Sequence, residues 1–197
     1  MSNDVVNVTR RRVLTAATSV VGAVGVVGAA VPFVGSWNPS AKAKAAGAPV
    51  TINIGNIEPG AMITAEWRGK PVYIVRRTPE ALAGLKKVEQ QLRDPESTEP
   101  QQPEYAKNST RSIKDEFLIL VGLCTHLGCA PGYRPDMGAQ DLGGDAWQGG
   151  FFCACHGSKF DLAGRVFRGV PAPINLEVPP HAYDSDTVVT IGVDQEA

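Results

Sequence analysis

Every cysteine in this 197-residue chain lies in two short segments, Cys124-Thr-His126-Leu-Gly-Cys129 and Cys153-Ala-Cys155-His156-Gly-Ser158, together with two of the three histidines. Any fold open to the chain has to seat these segments. Each offers a cysteine and a histidine at close spacing, C-x-H in the first and C-x-x-H in the second, plus one further cysteine. Both run on into glycine, at Gly128 and Gly157. A residue without a Cβ lets backbone N–H groups close on an anionic group. Two sulfurs and two imidazoles suit several outcomes. A structural zinc site takes four such ligands. It leaves Cys129 and Cys155 without a job, and the H-x3–5-H spacing common in zinc sites is absent. A pair of plain disulfides with bystander histidines accounts for the sulfurs but not for the glycines. The third outcome is an iron–sulfur centre with mixed cysteine and histidine ligation, in which two histidines replace two cysteines on one iron.

On these two boxes the chain resembles the Rieske iron–sulfur proteins. The resemblance implies that Cys124 and Cys153 bind one iron of a 2Fe–2S cluster and that His126 and His156 bind the other. It also implies a disulfide between Cys129 and Cys155. Closing a loop of that size stabilises by about 3 kcal/mol in the chain-entropy model. Such a bond needs an oxidising compartment.

The N-terminus speaks to the compartment. Thr9-Arg10-Arg11-Arg12-Val13-Leu14 looks like a twin-arginine export signal, and 22 residues without a charge follow, from 13 to 34. That run is long enough to cross a hydrocarbon core at about 1.5 Å per residue. It is apolar on every face, unlike the amphipathic stripe of a soluble surface helix. We therefore expect residues 1–12 to be a cytoplasmic segment carrying the signal and 13–35 to be a transmembrane helix, with Pro32 kinking or finishing it. The arginines before the span place the N-terminus in the cytoplasm by the positive-inside rule and the remainder in the periplasm of a bacterial inner membrane. Small-x-small patterns around Ala43 and Ala45 resemble signal-peptidase sites. In quinol-oxidising relatives the signal is kept as the anchor, and retention is expected here.

Residues 36–48 are small and polar and read as a flexible hinge linker. The 149 positions from 49 to 197 make one domain, expected to be mainly antiparallel β with one helix and a cluster-binding subdomain at about 117–175. Strands are predicted at 50–54, 61–67 and 71–77, with Arg68-Gly69-Lys70 as a hairpin turn. Thr78 is a predicted N-cap with Pro79 behind it, and Leu82, Leu85, Val88 and Leu92 recur at helical spacing, predicting a helix to about Arg93. Residues 94–107 read as an exposed loop. An apolar strand at 117–123 leads into the first box, and β pattern continues at 160, 164–167, 176–178 and 187–193. The excursion 132–150 is rich in turn formers. His181 reads as a surface histidine without a role. The Asn108-Ser-Thr sequon reads as chance.

The resemblance also assigns tuning groups. Ser158 stands where relatives donate a hydroxyl hydrogen bond to a cluster sulfide, which raises the potential. Two positions on, where high-potential relatives carry a tyrosine, this chain has Phe160, implying a lower potential. Gly169-Val-Pro171-Ala-Pro173 resembles the proline-rich loop over the cluster, and Leu127 stands beside His126 as an apolar shield.

The function implied is that of the Rieske subunit of a cytochrome bc-type quinol:cytochrome c oxidoreductase. His156 would take the quinol hydrogen bond and proton, and cytochrome b and a c-type cytochrome would be partners in a dimeric complex. An exported small subunit of arsenite oxidase is the alternative. With 19 Lys and Arg against 20 Asp and Glu, the chain has no basic excess for binding nucleic acid.

Overall fold

A computed structural model describes residues 7–194. The first positions of the predicted segment 1–12 and the last of the head 49–197 lie outside the described residues. The chain divides into two compact units, 1–45 and 46–197.

The first unit is built on helix α1, Val8–Gly35. It begins earlier than the predicted span because Asn7 caps it, its side chain accepting the Arg10 N–H at 3.0 Å. At about 1.5 Å per residue, 28 residues reach roughly 42 Å, more than a hydrocarbon core requires. An 18-residue window of α1 has a mean hydropathy of 2.0, and none of its side chains is buried. Thr15 and Thr18 turn their hydroxyls back onto the carbonyls of Arg11 and Leu14, hiding polar atoms that lipid would leave unpaired. Pro32 stands inside the helix without ending it. Within the predicted linker the alanine-rich stretch forms a short helix, α2, Ala41–Ala46, with Ser40 Oγ accepting the Ala43 N–H at 3.1 Å. The segment 36–48 is thus partly helical, because alanine is the strongest helix former and Ser40 supplies a cap.

The second unit is three small antiparallel sheets. β1 (Val50–Asn53), β9 (Val188–Ile191) and β8 (His181–Tyr183) form one, in the order β1-β9-β8. β2 (Met62–Trp67), β3 (Lys70–Arg76) and β4 (Phe117–Val121) form the central one. β5 (Gly132–Arg134), β6 (Gly150–Cys153) and β7 (Ser158–Asp161) form the third. Arg68 and Gly69, both at positive φ, make the two-residue hairpin between β2 and β3 that the sequence predicted.

The central sheet is covered on both faces, and period-2 alternation sorts its side chains. Val72, Ile74, Phe117 and Ile119 pack with Ile54, Val189 and Ile191. Tyr73, Val75, Leu118 and Leu120 pack instead with Phe151, Phe160, Cys124 and Cys153. The core of the cysteine-bearing sheet is therefore the second face of the central sheet.

The helix α3, Pro79–Lys87, starts at the predicted cap, with Thr78 Oγ1 accepting the Ala81 N–H. It stops short of Arg93. Beyond Val88 a 3-10 turn, Glu89–Gln91, drops Leu92 into the core beside Trp147 and Phe167, and the Arg93 N–H bonds the Val166 carbonyl. Tertiary partners outbid helix propensity there. Residues 164–167 and 176–178 are not strands. The first makes only isolated bridges, and the second gives its backbone to single bonds with Val121 and Gln101. His181 is 1% exposed, not a surface residue. Its Nδ1 sits 2.8 Å from the Pro179 carbonyl, and Tyr105 Oη lies within bonding distance of its backbone N–H and C=O. Burial holds its pKa below the ordinary histidine value.

Candidate metal centre

The two boxes occupy equivalent loops. The first joins β4 to β5. The second is the four-residue loop of the β6–β7 hairpin, where Cys153 pairs with Ser158. In each loop the carbonyl of the first cysteine accepts the N–H four residues on: Gly128 to Cys124 at 2.8 Å and Gly157 to Cys153 at 2.9 Å. Gly128 and Gly157 adopt φ of 80° and 78°, a region that strains residues with a Cβ. The glycines thus shape the turns that aim the side chains, in addition to leaving room for an anion.

Cys129 and Cys155 form a disulfide that joins the loops across 26 positions. Cys124 and Cys153 are free and buried, at 3% and 2% exposure. Burial first, then the hydrogen bond its thiol donates to Cys124, pushes the Cys153 thiol up from its ordinary pKa. Two unpaired thiols therefore sit against each other under the loops. The Cys129 and Cys155 sulfurs lie within 4.8 Å of Cys153 Sγ, but their bond to each other removes them as ligands. Two residues on from Cys124 and three on from Cys153, the rings of His126 and His156 meet edge to face, with centroids 4.8 Å apart. His126 is half-buried and His156 exposed.

This donor set suits a 2Fe–2S centre. Two loops tied by a disulfide each present one free sulfur and one imidazole, the two-sulfur, two-nitrogen donor set that such a centre takes. The surroundings suit it too. Ser158 is fully buried, and its Oγ accepts the Ala172 N–H at 3.0 Å. That bond uses a lone pair, so the hydroxyl hydrogen stays free to donate. Phe160 is fully buried in the apolar cluster that holds Cys124 and Cys153.

The lid that carries Ala172 is tied to both boxes. Thr125 Oγ1 donates to the Ile174 carbonyl at 2.7 Å, matching the Ser158–Ala172 bond on the other side. Arg93 reaches the Pro173 carbonyl at 3.3 Å. Tyr73 braces the first loop: its ring lies where a Cβ on Gly122 would be, and its hydroxyl donates to the Pro131 carbonyl at 3.1 Å. Leu127 is 72% exposed at the tip. Sequence reasoning missed Thr125, Tyr73 and Arg93, since their partners are backbone atoms far along the chain. It also missed four buried charges, Arg77, Arg111, Asp161 and Arg165, because charged residues read as surface.

Comparison with known proteins agrees with this geometry. The family described as "Rieske [2Fe-2S] domain" matches residues 49–180, and "Ubiquitinol-cytochrome C reductase Fe-S subunit TAT signal" matches residues 1–40. The ubiquinol-cytochrome c reductase iron-sulfur subunit of Allochromatium vinosum is 60% identical over 99% of this chain and 94% of its own length. Its namesake in Rhodospirillum rubrum is 42% identical over 93% of this chain and 91% of its own. A solved structure titled "Hyperthermophilic respiratory Complex III" aligns with a TM-score of 0.48 at 24% identity, covering 88% of this chain and 98% of that one. The N-terminal match and the relatives' names favour the bc-type assignment over arsenite oxidase, and the apolar helix with its signal fits a single-pass membrane anchor. The chain belongs to the iron–sulfur subunits of ubiquinol-cytochrome c reductase, electron-transfer proteins built on a Rieske-type 2Fe–2S cluster.

Proposed function

We propose that Cys124 and Cys153 hold one iron of the cluster and His126 and His156 the other, while the Cys129–Cys155 disulfide clamps the loops and Ser158 donates to a cluster sulfide. The observation that carries this reading is the pair of free buried thiols on two loops whose histidine rings meet, with both remaining cysteines spent on each other. When bound, the cluster supplies a one-electron acceptor whose charge lowers the basicity of the imidazoles on it.

The protein's own groups then divide the work of quinol oxidation. His156 presents its outer ring nitrogen to solvent, where a quinol hydroxyl can bond to it and leave its proton. Leu127 and the lid prolines Pro171 and Pro173 form an exposed apolar rim suited to a docking surface on cytochrome b. Ser158 and Thr125 hold the lid in place, which keeps water from the buried sulfurs. The electron goes on to a c-type cytochrome after the head moves on the segment 36–48, within a dimeric complex. Arginines 10 to 12 precede the span, so the N-terminus is cytoplasmic and the head periplasmic by the positive-inside rule.

Ligand substitution tests the assignment. Cys124→Ser, Cys153→Ser, His126→Gln and His156→Gln should each abolish the EPR signal of a reduced 2Fe–2S centre. Cys129→Ala with Cys155→Ala should retain it in a less stable protein. Loss of the cluster from the disulfide variant with retention in a Cys124 variant refutes the division.

A further inference from the structure

Beneath the loops the head buries three guanidinium groups but, among the described residues, a single carboxylate. Arg77, Arg111 and Arg165 are 3%, 0% and 1% exposed, and Asp161 is 1% exposed. Asp161 is spent on Arg165, with a bond of 2.8 Å to Nε and another to the Arg165 backbone N–H. Arg111 is held otherwise. Its Nη1 donates to the Ala163 carbonyl at 3.0 Å, and its Nη2 to the Leu176 carbonyl at 2.7 Å and Gln102 Oε1 at 2.9 Å. Its Nε has no partner, and its backbone sits at a φ of 49°. Carbonyl dipoles hold both Nη groups but leave the charge without an ion-pair partner. Burial accordingly lowers the Arg111 pKa to about 10, Asp161 opposing the fall and Arg165 adding to it.

The location gives that charge a target. Leu176, whose carbonyl Arg111 grips, packs in the apolar cluster that contains Cys124 and Cys153, and so does Leu120. A Cβ built on Gly164 would meet Leu120 Cδ1 at 2.8 Å and Arg111 Nη1 at 3.1 Å, so the guanidinium and that side chain close on the same glycine. Through Leu120 and Leu176, Arg111 borders the cluster that buries Cys124 and Cys153. Asp161 lies on the same strand as Ser158, about 10 Å along at roughly 3.3 Å per residue. A unit charge buried in the interior is screened less than one in water.

We propose that Arg111 sets the potential of the centre from below: its uncompensated charge favours the reduced, more negative state and raises the midpoint, while Asp161 partly offsets it. This rests on Cys124 and Cys153 being cluster ligands. The structural role of Arg111, gripping carbonyls from separate segments, does not require the charge to be felt by the centre. The two roles therefore separate by experiment.

The test is an EPR-monitored redox titration of the full-length protein at one pH, alongside its melting temperature. Arg111→Met should move the one-electron equilibrium about tenfold toward the oxidised form, equal to a midpoint about 59 mV lower. Arg111→Lys should stay within roughly a factor of two of wild type even if it melts lower. Asp161→Asn, which keeps an oxygen for the Ala163 and Arg165 N–H groups, should shift the equilibrium the other way. Opposite signs at Arg111 and Asp161 are the signature of charge. A midpoint unmoved in Arg111→Met, equal shifts in the Met and Lys variants, or a fall in Asp161→Asn overturns the proposal. If Arg111→Met does not assemble, Arg111→Gln, which removes the charge but keeps an amide donor for the Ala163 or Leu176 carbonyl, is read by the same criterion. A wild-type protein without a reduced 2Fe–2S signal would instead overturn the ligand assignment beneath it.

Discussion

Replacing Ser158 by alanine separates the bond its hydroxyl accepts from the one we propose it donates. Its oxygen accepts the Ala172 N–H at 3.0 Å, and Ala172 is itself fully buried. Deleting the oxygen leaves that N–H unpaired in the interior, which costs about 1–3 kcal/mol. For a chain of this size, that is a melting temperature lower by roughly 2–4 °C per kcal/mol. The free hydroxyl hydrogen makes the second bond. A hydrogen bond to a charged acceptor contributes about 1.5–3 kcal/mol. If about half of it differs between oxidation states, the reduced form loses about 0.8–1.5 kcal/mol. At about 59 mV per 1.4 kcal/mol, the midpoint then falls by roughly 30–65 mV. The assay is a redox titration followed by EPR or visible circular dichroism, with thermal melting of the same sample. A lower melting temperature with an unmoved midpoint would refute the second bond and leave Ser158 as a tether for the lid.

Three further outcomes follow from the same geometry. Phe160→Tyr introduces a hydroxyl into the apolar cluster around Cys124 and Cys153, so the midpoint should rise by tens of mV, of the order of the ~59 mV that marks a tenfold one-electron change; a fall in titration would show that the hydroxyl finds no acceptor at the centre. Removing the Cys129–Cys155 bridge by double alanine substitution should cost about 3.5 kcal/mol for a 26-position separation, measured by urea unfolding, and an unchanged unfolding midpoint would contradict the clamp. Because burial lowers the His181 pKa, the folded state resists its protonation. Its contribution is complete above the ordinary histidine pKa of about 6.5 and is lost as pH falls through the lower folded value. His181→Gln should therefore flatten the decline of melting temperature below that pH, and an equally steep decline would clear His181 of the effect.

The parts legible in the sequence were those whose causes are local. Gly69 announces its hairpin because a positive φ calls for glycine, while the positive φ of Arg68 beside it has no such signal, and Thr78-Pro79 announces its helix start by capping chemistry. The boxes are legible for the same reason: donors at short spacing with glycine after them. What escaped depends on partners remote in sequence. The helix α3 ends at Lys87 because Leu92 packs against Trp147 and Phe167, a contact no periodicity reveals. Arg111 reads as a surface cation, yet the carbonyls of Ala163 and Leu176 take it into the core. His181 is interior because Tyr105 and Pro179 supply its polar partners. Within the linker, Ser40 and a run of alanines form a helix in a stretch whose small residues suggested only flexibility.

The ligand assignment is tested most directly by electron spin echo modulation of the reduced, full-length protein grown with 15N-histidine. Two strongly coupled imidazole nitrogens are predicted, both unchanged in His181→Gln and lost with the cluster in His126→Gln or His156→Gln. A reduced centre without coupled histidine nitrogens, or one whose coupling changes with His181, would contradict a cluster held by His126 and His156 with the buried Cys124 and Cys153.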